Sequence, residues 1–265
     1  MKKTIISIML ALIIVLLLQT VGFSKMIINS DNSSKGYITV KSTTELNKKY
    51  KVRLQNGNKV DTFDLTKANE EIPYALTLGN GNYKVTVYEN TSGDYYKVNT
   101  QKTVNVKVEN DNDIYLLSTE EINWNENQRY IKLAKELTKN AKTDEEKVQI
   151  LYNYLTKNFT YNYVKIYQIP NTYKPDLEKL YDEKTGICYD YSAIFAGMLR
   201  SLGIPTKMVK GYTVTNQSTY HAWNQVLVNG EWKMIDTTND AYRIQNNIKV
   251  DMYKADSSFI VSNVY

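Results

Sequence analysis

The sequence predicts an α+β fold in which a small, Ig-like β-sandwich precedes a mixed domain of helices and strands. Between about residues 25 and 109, short segments alternate apolar and polar residues with a period of two, as half-buried strands do. After residue 110, apolar residues recur first at helical spacing and then in further alternating segments. We therefore predict a sandwich at residues 25–110 and a second domain at 111–265, with residues 1–24 set apart.

The first 24 residues have the pattern of an export signal. Lys2 and Lys3 precede an apolar run over residues 4–18, and Gly22 and Ser24 supply small residues for a cleavage site. The run is shorter than the ~20 residues that usually span a bilayer. We expect a secreted or cell-surface, extracellular protein that is not stably inserted in the membrane once the signal is cleaved. An uncleaved membrane anchor is the alternative interpretation.

Strand signals run through the front domain. Residues 37–40 and 50–54 alternate with period two, and Asn56-Gly57 favours a hairpin turn between strands. Further candidate strands lie at residues 60–65, 74–78, 83–88 and 104–108. Short strands at this spacing, without a helical pattern, indicate a β-sandwich. The domain contains no catalytic constellation, so we expect it to bind, space or orient.

The second domain opens with helices. Ile131, Ala134 and Leu137 share one helical face, and Thr143 with Glu146 predicts a capping box at the start of the next helix. The Tyr-rich segment 161–174 is interrupted by a proline and is interpreted as a loop or short strand at the rim of a cleft.

A core helix and an antiparallel sheet complete this domain. Apolar residues recur at helical spacing from Cys188 to Leu202, and Gly203 then favours a helix stop. The predicted strands of the sheet are residues 206–214, 221–228, 231–237 and 259–264.

Three residues in this part of the chain suit nucleophilic catalysis: Cys188, His221 and Asp236, the first two being the only cysteine and the only histidine. A helix N-terminus favours a thiolate, and we expect a partly exposed thiol there. An imidazole can pair with the thiolate and protonate a leaving amine, while a carboxylate fixes the imidazole's tautomer and orientation. We place His221 at the head of one strand and Asp236 near the end of the next. The Asn229-Gly230 hairpin between them holds those strands about 5 Å apart.

Each of these residues also has a structural interpretation. A lone cysteine is often a small buried hydrophobe, a histidine before Ala-Trp can be a core residue, and an aspartate before Thr-Thr can form a turn or cap. The three together, in a chain with one cysteine and one histidine, favour a catalytic triad.

The same region resembles the transglutaminase-like superfamily of papain-like thiol enzymes, and more closely the transglutaminase-core proteins that bacteria secrete. The resemblance covers roughly residues 127–240, and its motifs are GICYDY at 186–191, LRSLGIP at 199–205, Gly211-Tyr212, His221-Ala222-Trp223 and residues 232–236. It implies a papain-like, transglutaminase-like core in which Cys188 is the nucleophile, His221 the base and Asp236 the orienting carboxylate. One departure is visible, because Thr237-Thr238 follow Asp236 where many relatives have a proline before the threonine.

The net charge and the composition limit the classes of binding partner and cofactor that we expect. The formal net charge is +5, and removal of Lys2 and Lys3 with the signal lowers it by two to +3. This mild charge suits weak attraction to anionic cell-wall polymers, and no basic cluster with interleaved stacking aromatics points to nucleic acid. One cysteine excludes an intramolecular disulfide, and the sequence has no cysteine and histidine clusters typical of zinc sites. We expect no metal and no cofactor.

These observations predict a secreted, cysteine-dependent acyl-transfer enzyme that acts on protein or peptide amide bonds. An amine acceptor gives cross-linking, whereas water gives proteolysis or deamidation, and the sequence leaves these outcomes open. The oxyanion is expected to bind the Cys188 backbone N–H and a second donor near Tyr161 or Tyr163. The alternative is a catalytically inactive protein of the same fold that binds cell-surface or cell-wall components.

Overall fold

The computed structural model describes residues 26–170 and 172–265, so the predicted signal at residues 1–24 lies outside the described residues. The architecture is α+β, with two packed sheets in front and a helical layer on a five-stranded antiparallel sheet behind. Within the described ranges, no helix has the length and apolar character needed to cross a bilayer.

The front domain consists of seven strands in two antiparallel sheets. They are β1 (Met26–Asn29), β2 (Tyr37–Ser42), β3 (Tyr50–Asn56), β4 (Lys59–Leu65), β5 (Ile72–Ala75), β6 (Gly81–Ser92) and β7 (Tyr95–Val106). The strand orders are β1-β2-β5 and β4-β3-β6-β7. Inward side chains from both sheets, among them Val40, Val52 and Val87, share one buried core. The alternation in the sequence reflects this core.

The last two strands are much longer than the sequence indicates. Strands β6 and β7 form a hairpin of two 12-residue strands, where we predicted short strands at 83–88 and 104–108. Strand β7 lies at the edge of its sheet and is exposed along most of its length. An edge strand that buries little apolar surface carries little alternation, which explains why its first residues were missed.

The segment between the domains packs on both of them. Ile114 belongs to the core of the front domain, whereas Ile122 belongs to the core of the second. The Thr66 hydroxyl at the end of β4 donates a hydrogen bond to Glu120 between these two residues. The boundary at residues 110 and 111 stays a prediction from composition, and the change of core occurs several residues later.

The second domain contains five helices among the described residues: α1 (Arg129–Thr138), α2 (Asp144–Asn158), α3 (Leu177–Glu183), α4 (Cys188–Ser201) and α5 (Thr237–Gln245). Its strands are β8 (Thr160–Tyr161), β9 (Thr185–Gly186), β10 (Thr206–Thr213), β11 (Asn216–Val228), β12 (Glu231–Ile235), β13 (Tyr253–Lys254) and β14 (Phe259–Val264). The order in the large sheet is β13-β12-β11-β10-β14, and β8 pairs with β9 in parallel.

Helix α4 is the centre of this domain. All of its residues except Tyr189 and Ser201 are buried, and it packs on β10 and β11. A helix that is apolar on every side belongs in a core, so the predicted core helix from Cys188 is confirmed. The capping box of Thr143 and Glu146 is also present at the start of α2.

The neighbourhood of the predicted catalytic residues differs from the prediction in two places. His221 lies inside β11 rather than at its head, since the strand already begins at Asn216. Asp236 follows β12 and caps α5, so a helix begins at Thr237 where the strand was predicted to continue. Helices α3 and α5 were not predicted from the sequence. Helix α3 is short and the residues after Asp236 are mostly polar, so neither helix shows a long apolar stripe.

Arg200, near the end of α4, connects three separate segments. Its guanidinium donates to the carbonyl oxygens of Leu117 at 2.6 Å, Thr206 at 2.9 Å and Tyr265 at 2.9 Å. The side chain is 2% exposed. These bonds tie the interdomain segment, the start of β10 and the residue after β14 to the central helix.

We expect Arg200→Met to lower the free energy of unfolding by at least about 2 kcal/mol, because the carbonyls of Leu117 and Thr206 each lose a donor at a cost of about 1–3 kcal/mol. The carbonyl of Tyr265 keeps the Met208 N–H as a donor. Urea unfolding followed by circular dichroism measures this change. Arg243→Met, at an exposed position on α5, is the matched control and should shift the unfolding free energy by less than about 0.5 kcal/mol. Equal effects of the two substitutions would contradict the role of Arg200.

Candidate active site

Cys188 occupies the first turn of α4, directly after the short strand β9. The approach is tight, because a Cβ on Gly186 would lie 2.7 Å from Leu180 Cδ1 and 2.8 Å from Asp190 Cβ. Only glycine fits there without displacing its neighbours. The backbone N–H of Ile187 donates to Asp190 Oδ2 at 2.8 Å, which satisfies one of the N–H groups at the helix start. The thiol is therefore held at a fixed helix N-terminus.

Asp190 also fixes the covering segment, which is the predicted rim segment of residues 161–174 and lies over this helix start. Its carboxylate is fully buried and accepts hydrogen bonds from Lys165 Nζ at 2.7 Å and from the Tyr173 hydroxyl. Lys165 and Tyr173 lie near the two ends of the predicted rim segment. A buried carboxylate requires this degree of pairing, because an isolated charge in the interior is costly. The loop and the nucleophile thus share one anchor.

His221 and Asp236 meet as the hairpin predicts. Asn229 and Gly230 both have positive φ, 52° and 80°, as a type I′ turn requires, and they join β11 to β12. Across this hairpin, His221 Nε2 donates to Asp236 Oδ2 at 2.8 Å. Asp236 Oδ1 accepts from the backbone N–H of Asn239 at 3.0 Å, so the carboxylate is fixed by α5 as well.

Cys188 lies close enough to the imidazole of His221 to influence its protonation. Burial opposes protonation of the ring. The charge of Asp236, the hydrogen bond to Asp236 and the contact with Cys188 outweigh it and raise the pKa of His221 to about 10. The imidazole is therefore protonated at neutral pH and can stabilise a thiolate. Cys188 and Asp236 thus both act on one imidazole, and nucleophilic catalysis uses this combination of groups.

The strand that carries His221 is held from both sides. Trp223 stacks near the imidazole, with ring centroids 6.0 Å apart, and its indole N–H donates to Met234 Sδ. On the neighbouring strand, Gly211 pairs with His221. A Cβ on Gly211 would lie 2.0 Å from the Ile260 carbonyl oxygen of β14. Position 211 therefore requires glycine, because β14 passes too close to leave room for a side chain.

A cavity of about 470 Å³ opens beside His221. Its lining includes Tyr161, Tyr163, Tyr167, Thr213, His221 and Tyr242. Tyr161 lies on β8 opposite Gly186. Burial, followed by the charge of Cys188, raises the pKa of Tyr161 to about 12, so its hydroxyl stays protonated and can donate a hydrogen bond.

Two features of the site differ from the sequence expectations or were missed by them. Cys188 is 9% exposed, so the thiol is more buried than expected. The anchoring role of Asp190, with Lys165 and Tyr173, was not predicted. An acidic residue in the first turn after Gly186-Ile187 was the available signal, because such residues often bond a free N–H at a helix start. Across residues 26–170 and 172–265, no group of three or more His, Cys, Asp or Glu side chains could hold a metal ion.

Comparison with known proteins relates this arrangement to a family. Residues 131–237 match the family model of the transglutaminase-like superfamily. Protein YebA of Bacillus subtilis (strain 168) is 29% identical over 172 residues, which are 63% of this chain and 20% of YebA. Kyphoscoliosis peptidase of Homo sapiens is 28% identical over 115 residues, 40% of this chain and 17% of the peptidase. The chain thus corresponds to a small part of either relative.

Among solved structures, the periplasmic domain of TgpA from Pseudomonas aeruginosa aligns with a TM-score of 0.41 and 13% identity over 86% of this chain and 97% of that domain. The segment matched by the family model contains Cys188, His221 and Asp236. The match of residues 131–237 to the family model confirms the predicted transglutaminase-like core, whereas the catalytic roles of the three side chains stay a prediction.

The raised pKa of His221 predicts a pH dependence of stability. A group whose pKa is higher in the folded than in the unfolded state contributes stability that is fully present below the unfolded pKa, about 6.5, and is lost as pH rises towards about 10. The comparison is between Cys188→Ala, in which no thiol titrates, and the double variant that also carries His221→Gln. The unfolding free energy of Cys188→Ala should exceed that of the double variant most below pH ~6.5, and this excess should shrink as pH rises.

Urea unfolding at several pH values between 5.5 and 10 measures this excess. Because His221 is the only histidine, the Gln variant removes every imidazole from the chain. Asp236→Asn in the same background should flatten the dependence by removing the carboxylate that holds the proton. An excess that stays constant, or that grows with pH, would contradict the assigned ion pair.

Proposed function

Because residues 131–237 form a transglutaminase-like domain, we propose that the protein is a cysteine-dependent acyl-transfer enzyme that acts on amide bonds of proteins or peptides. This superfamily includes thiol transferases and cysteine proteases. The observation that carries the proposal is the 2.8 Å bond between His221 and Asp236 together with the influence of the nearby Cys188 on the same imidazole. The roles are nucleophile for Cys188, acid and base for His221, and orienting carboxylate for Asp236.

The first half-reaction forms a thioester. Cys188 Sγ, as the thiolate, attacks the carbonyl carbon of the amide and forms a C–S bond, while the carbonyl oxygen takes up negative charge. The C–N bond then breaks, and His221 gives its proton to the departing amine or ammonia. Asp236 keeps the imidazolium oriented and stabilises its charge throughout this step.

The second half-reaction releases the acyl group. An amine or a water molecule attacks the thioester carbon, and His221 accepts the proton of the attacking group as the C–S bond breaks. An amine produces a new amide bond and hence a cross-link. Water produces a carboxylate, which is the outcome of deamidation or proteolysis.

Two donors are suited to hold the oxyanion. The backbone N–H of Cys188 lies in the first turn of α4, where N–H groups have no partner inside the helix. Tyr161 is placed opposite Gly186 by the pairing of β8 with β9, and its hydroxyl remains protonated near the thiol. Tyr163 packs on Tyr161, with ring centroids 4.8 Å apart, but its side chain is largely exposed. We assign the second donor to Tyr161.

The proposed site of action is outside the cell or at its surface. The support is the signal pattern of residues 1–24 together with the unpaired cysteine, which an exported protein retains at the risk of oxidation. The substrates would then be surface proteins or peptides, including cell-wall components.

Cys188→Ala should abolish incorporation of a fluorescent primary amine into casein and the accompanying release of ammonia, because no thioester can form. Thermal unfolding checks that the variant stays folded, and it should lose little stability since only one sulfur atom is removed. Turnover that survives in the folded variant would show that another residue is the nucleophile.

Labelling with iodoacetamide separates an enzyme from an inactive binding protein of the same fold. In an enzyme, Cys188 should be alkylated faster in the wild type than in His221→Gln, because the imidazolium favours the thiolate. Peptide mass spectrometry measures the rate at Cys188. Equal rates in the two proteins would favour the binding protein.

Tyr161→Phe should lower kcat by roughly 10²-fold with little change in KM, since the loss of one oxyanion donor acts on the transition state and not on substrate binding. Tyr163→Phe is the matched control, because it removes the same hydroxyl from the neighbouring ring, and it should change kcat less than about twofold. Comparable losses in the two variants would remove Tyr161 from the oxyanion site.

A further inference from the structure

A second cavity, of about 410 Å³, lies between the two domains. Strand β4 of the front domain contributes Thr62, Phe63 and Asp64 to its wall. The second domain contributes Tyr189 and Lys210, together with Glu121, Tyr173, Lys174 and Tyr265. The mechanism of acyl transfer uses none of these side chains.

The carboxylates that line this cavity already have cations of their own. Asp64 accepts from Lys51 Nζ at 2.9 Å, and Glu121 is paired with Lys174. Within the described ranges, no carboxylate lies in ion-pair distance of Lys210 Nζ. The lining thus has two carboxylates and two ammonium groups, but Asp64 is paired with Lys51 from outside the lining, which leaves Lys210 without a paired carboxylate among the described residues.

Lys210 is instead held between aromatic rings. Its Nζ lies 3.4 Å from the centroid of the Tyr189 ring and 4.9 Å from that of Tyr265. Contact with aromatic faces stabilises an ammonium, but less than a carboxylate in the same environment does. The rings fix the position of the charge and leave it available to an anion in the cavity.

Burial makes this ammonium unfavourable in the absence of an anion. Desolvation lowers the pKa of Lys210 to about 8, with Lys174 acting in the same direction and Glu121 and Cys188 in the opposite one. Lys210 is thus still mostly protonated at pH 7. A carboxylate that enters the cavity would recover part of the desolvation energy.

The cavity is close to the reacting atom. Tyr189 follows Cys188 directly in the chain, and the charge of Cys188 acts on Lys210. Ile166 lines both this cavity and the one beside His221, so the two cavities flank the same covering segment. A substrate whose amide reaches Cys188 can place a neighbouring group beside Lys210.

We propose that this cavity is a substrate subsite in which Lys210 binds a carboxylate close to the reacting amide. The substrate class is then a peptide whose reacting amide is followed by a free C-terminal carboxylate or by an acidic side chain. The proposal rests on the function proposed above. The aromatic walls would hold the apolar part of the same residue, and β4 of the front domain would close the subsite.

Two alkylating reagents test the subsite directly at Cys188. Iodoacetate and iodoacetamide have the same shape, but only iodoacetate carries a carboxylate. The rate of labelling by iodoacetate divided by the rate by iodoacetamide should fall about tenfold in Lys210→Gln, because this variant loses one positive charge in a partly desolvated site. Lys210→Arg should retain most of the ratio, and Lys132→Gln, the same loss of charge at an exposed position on α1, should leave it unchanged.

The labelling outcomes separate this inference from the proposed function. If Cys188 reacts with both reagents and the ratio is equal in the wild type and Lys210→Gln, the subsite is wrong and the function stands. If both rates fall together in Lys210→Gln, Lys210 has a packing role and the subsite is also wrong. If wild-type Cys188 is no more reactive than that of His221→Gln towards either reagent, the proposed function fails and the subsite fails with it.

Substrates distinguish the source of the carboxylate. Three N-capped peptides share a reacting glutamine: Gln-Gly with a free C-terminus, Gln-Gly amide and Gln-Asp amide. Preference for the first over the second indicates a C-terminal carboxylate, and preference for the third indicates an acidic side chain. Either preference should appear in KM and be lost in Lys210→Gln. No preference for either carboxylate in the wild type would overturn the subsite.

A measurement on the wild type covers the case in which Lys210→Gln does not fold. N-acetylglycine should slow the alkylation of Cys188 by iodoacetamide at concentrations at which N-acetylglycinamide does not. Equal protection by the two compounds would overturn the subsite without any variant.

Discussion

The buried carboxylate of Asp190 is the contact on which the geometry of the site depends. It accepts the Ile187 N–H at the start of α4, the ammonium of Lys165 and the hydroxyl of Tyr173. The three donors come from the helix start and from near the two ends of the covering segment. Because a fully buried charge is stable only when paired, these groups are held together as one unit. The position of the thiol and the position of the segment above it therefore cannot vary independently.

The other half of the site is positioned by backbone pairing. His221 lies on β11 and Asp236 directly follows β12, and the Asn229-Gly230 turn sets the register of these two strands. The capping bond from Asn239 then fixes the second oxygen of Asp236, so one residue serves both a helix and the imidazole. The site thus consists of a helix start and a hairpin, two elements whose geometry is determined by local sequence. This explains how the chain can place three side chains accurately with few contacts between them.

The sequence predicts the parts of the fold that repeat or that follow local rules. The strand alternation of the front domain, the apolar helix from Cys188, the capping box at Thr143 and the turn at Asn229-Gly230 are such parts, and each is present. The extent of β7 and the helix after Asp236 were not predictable in this way, since an edge strand and a short capped helix bury little apolar surface. The pairing of Asp190 with Lys165 and the opposition of Tyr161 to Gly186 depend on tertiary contacts. A single sequence carries no pattern for such pairs.

The proposed subsite, where the domains meet, gives the front domain a part in substrate binding that its own sequence does not indicate. It contains no nucleophile or base, yet Phe63 and Asp64 on β4 stand opposite Tyr189 and Lys210 across one cavity. Asp64 is already neutralised by Lys51, so it leaves the charge on Lys210 available. Arg200, near the end of the helix that begins at Cys188, donates a hydrogen bond to Leu117 in the interdomain segment. This bond helps to hold the β4 side of the cavity in a fixed position relative to the thiol. Under the proposed function and subsite, a change on β4 alters which amide substrates reach Cys188 while Cys188, His221 and Asp236 stay in place.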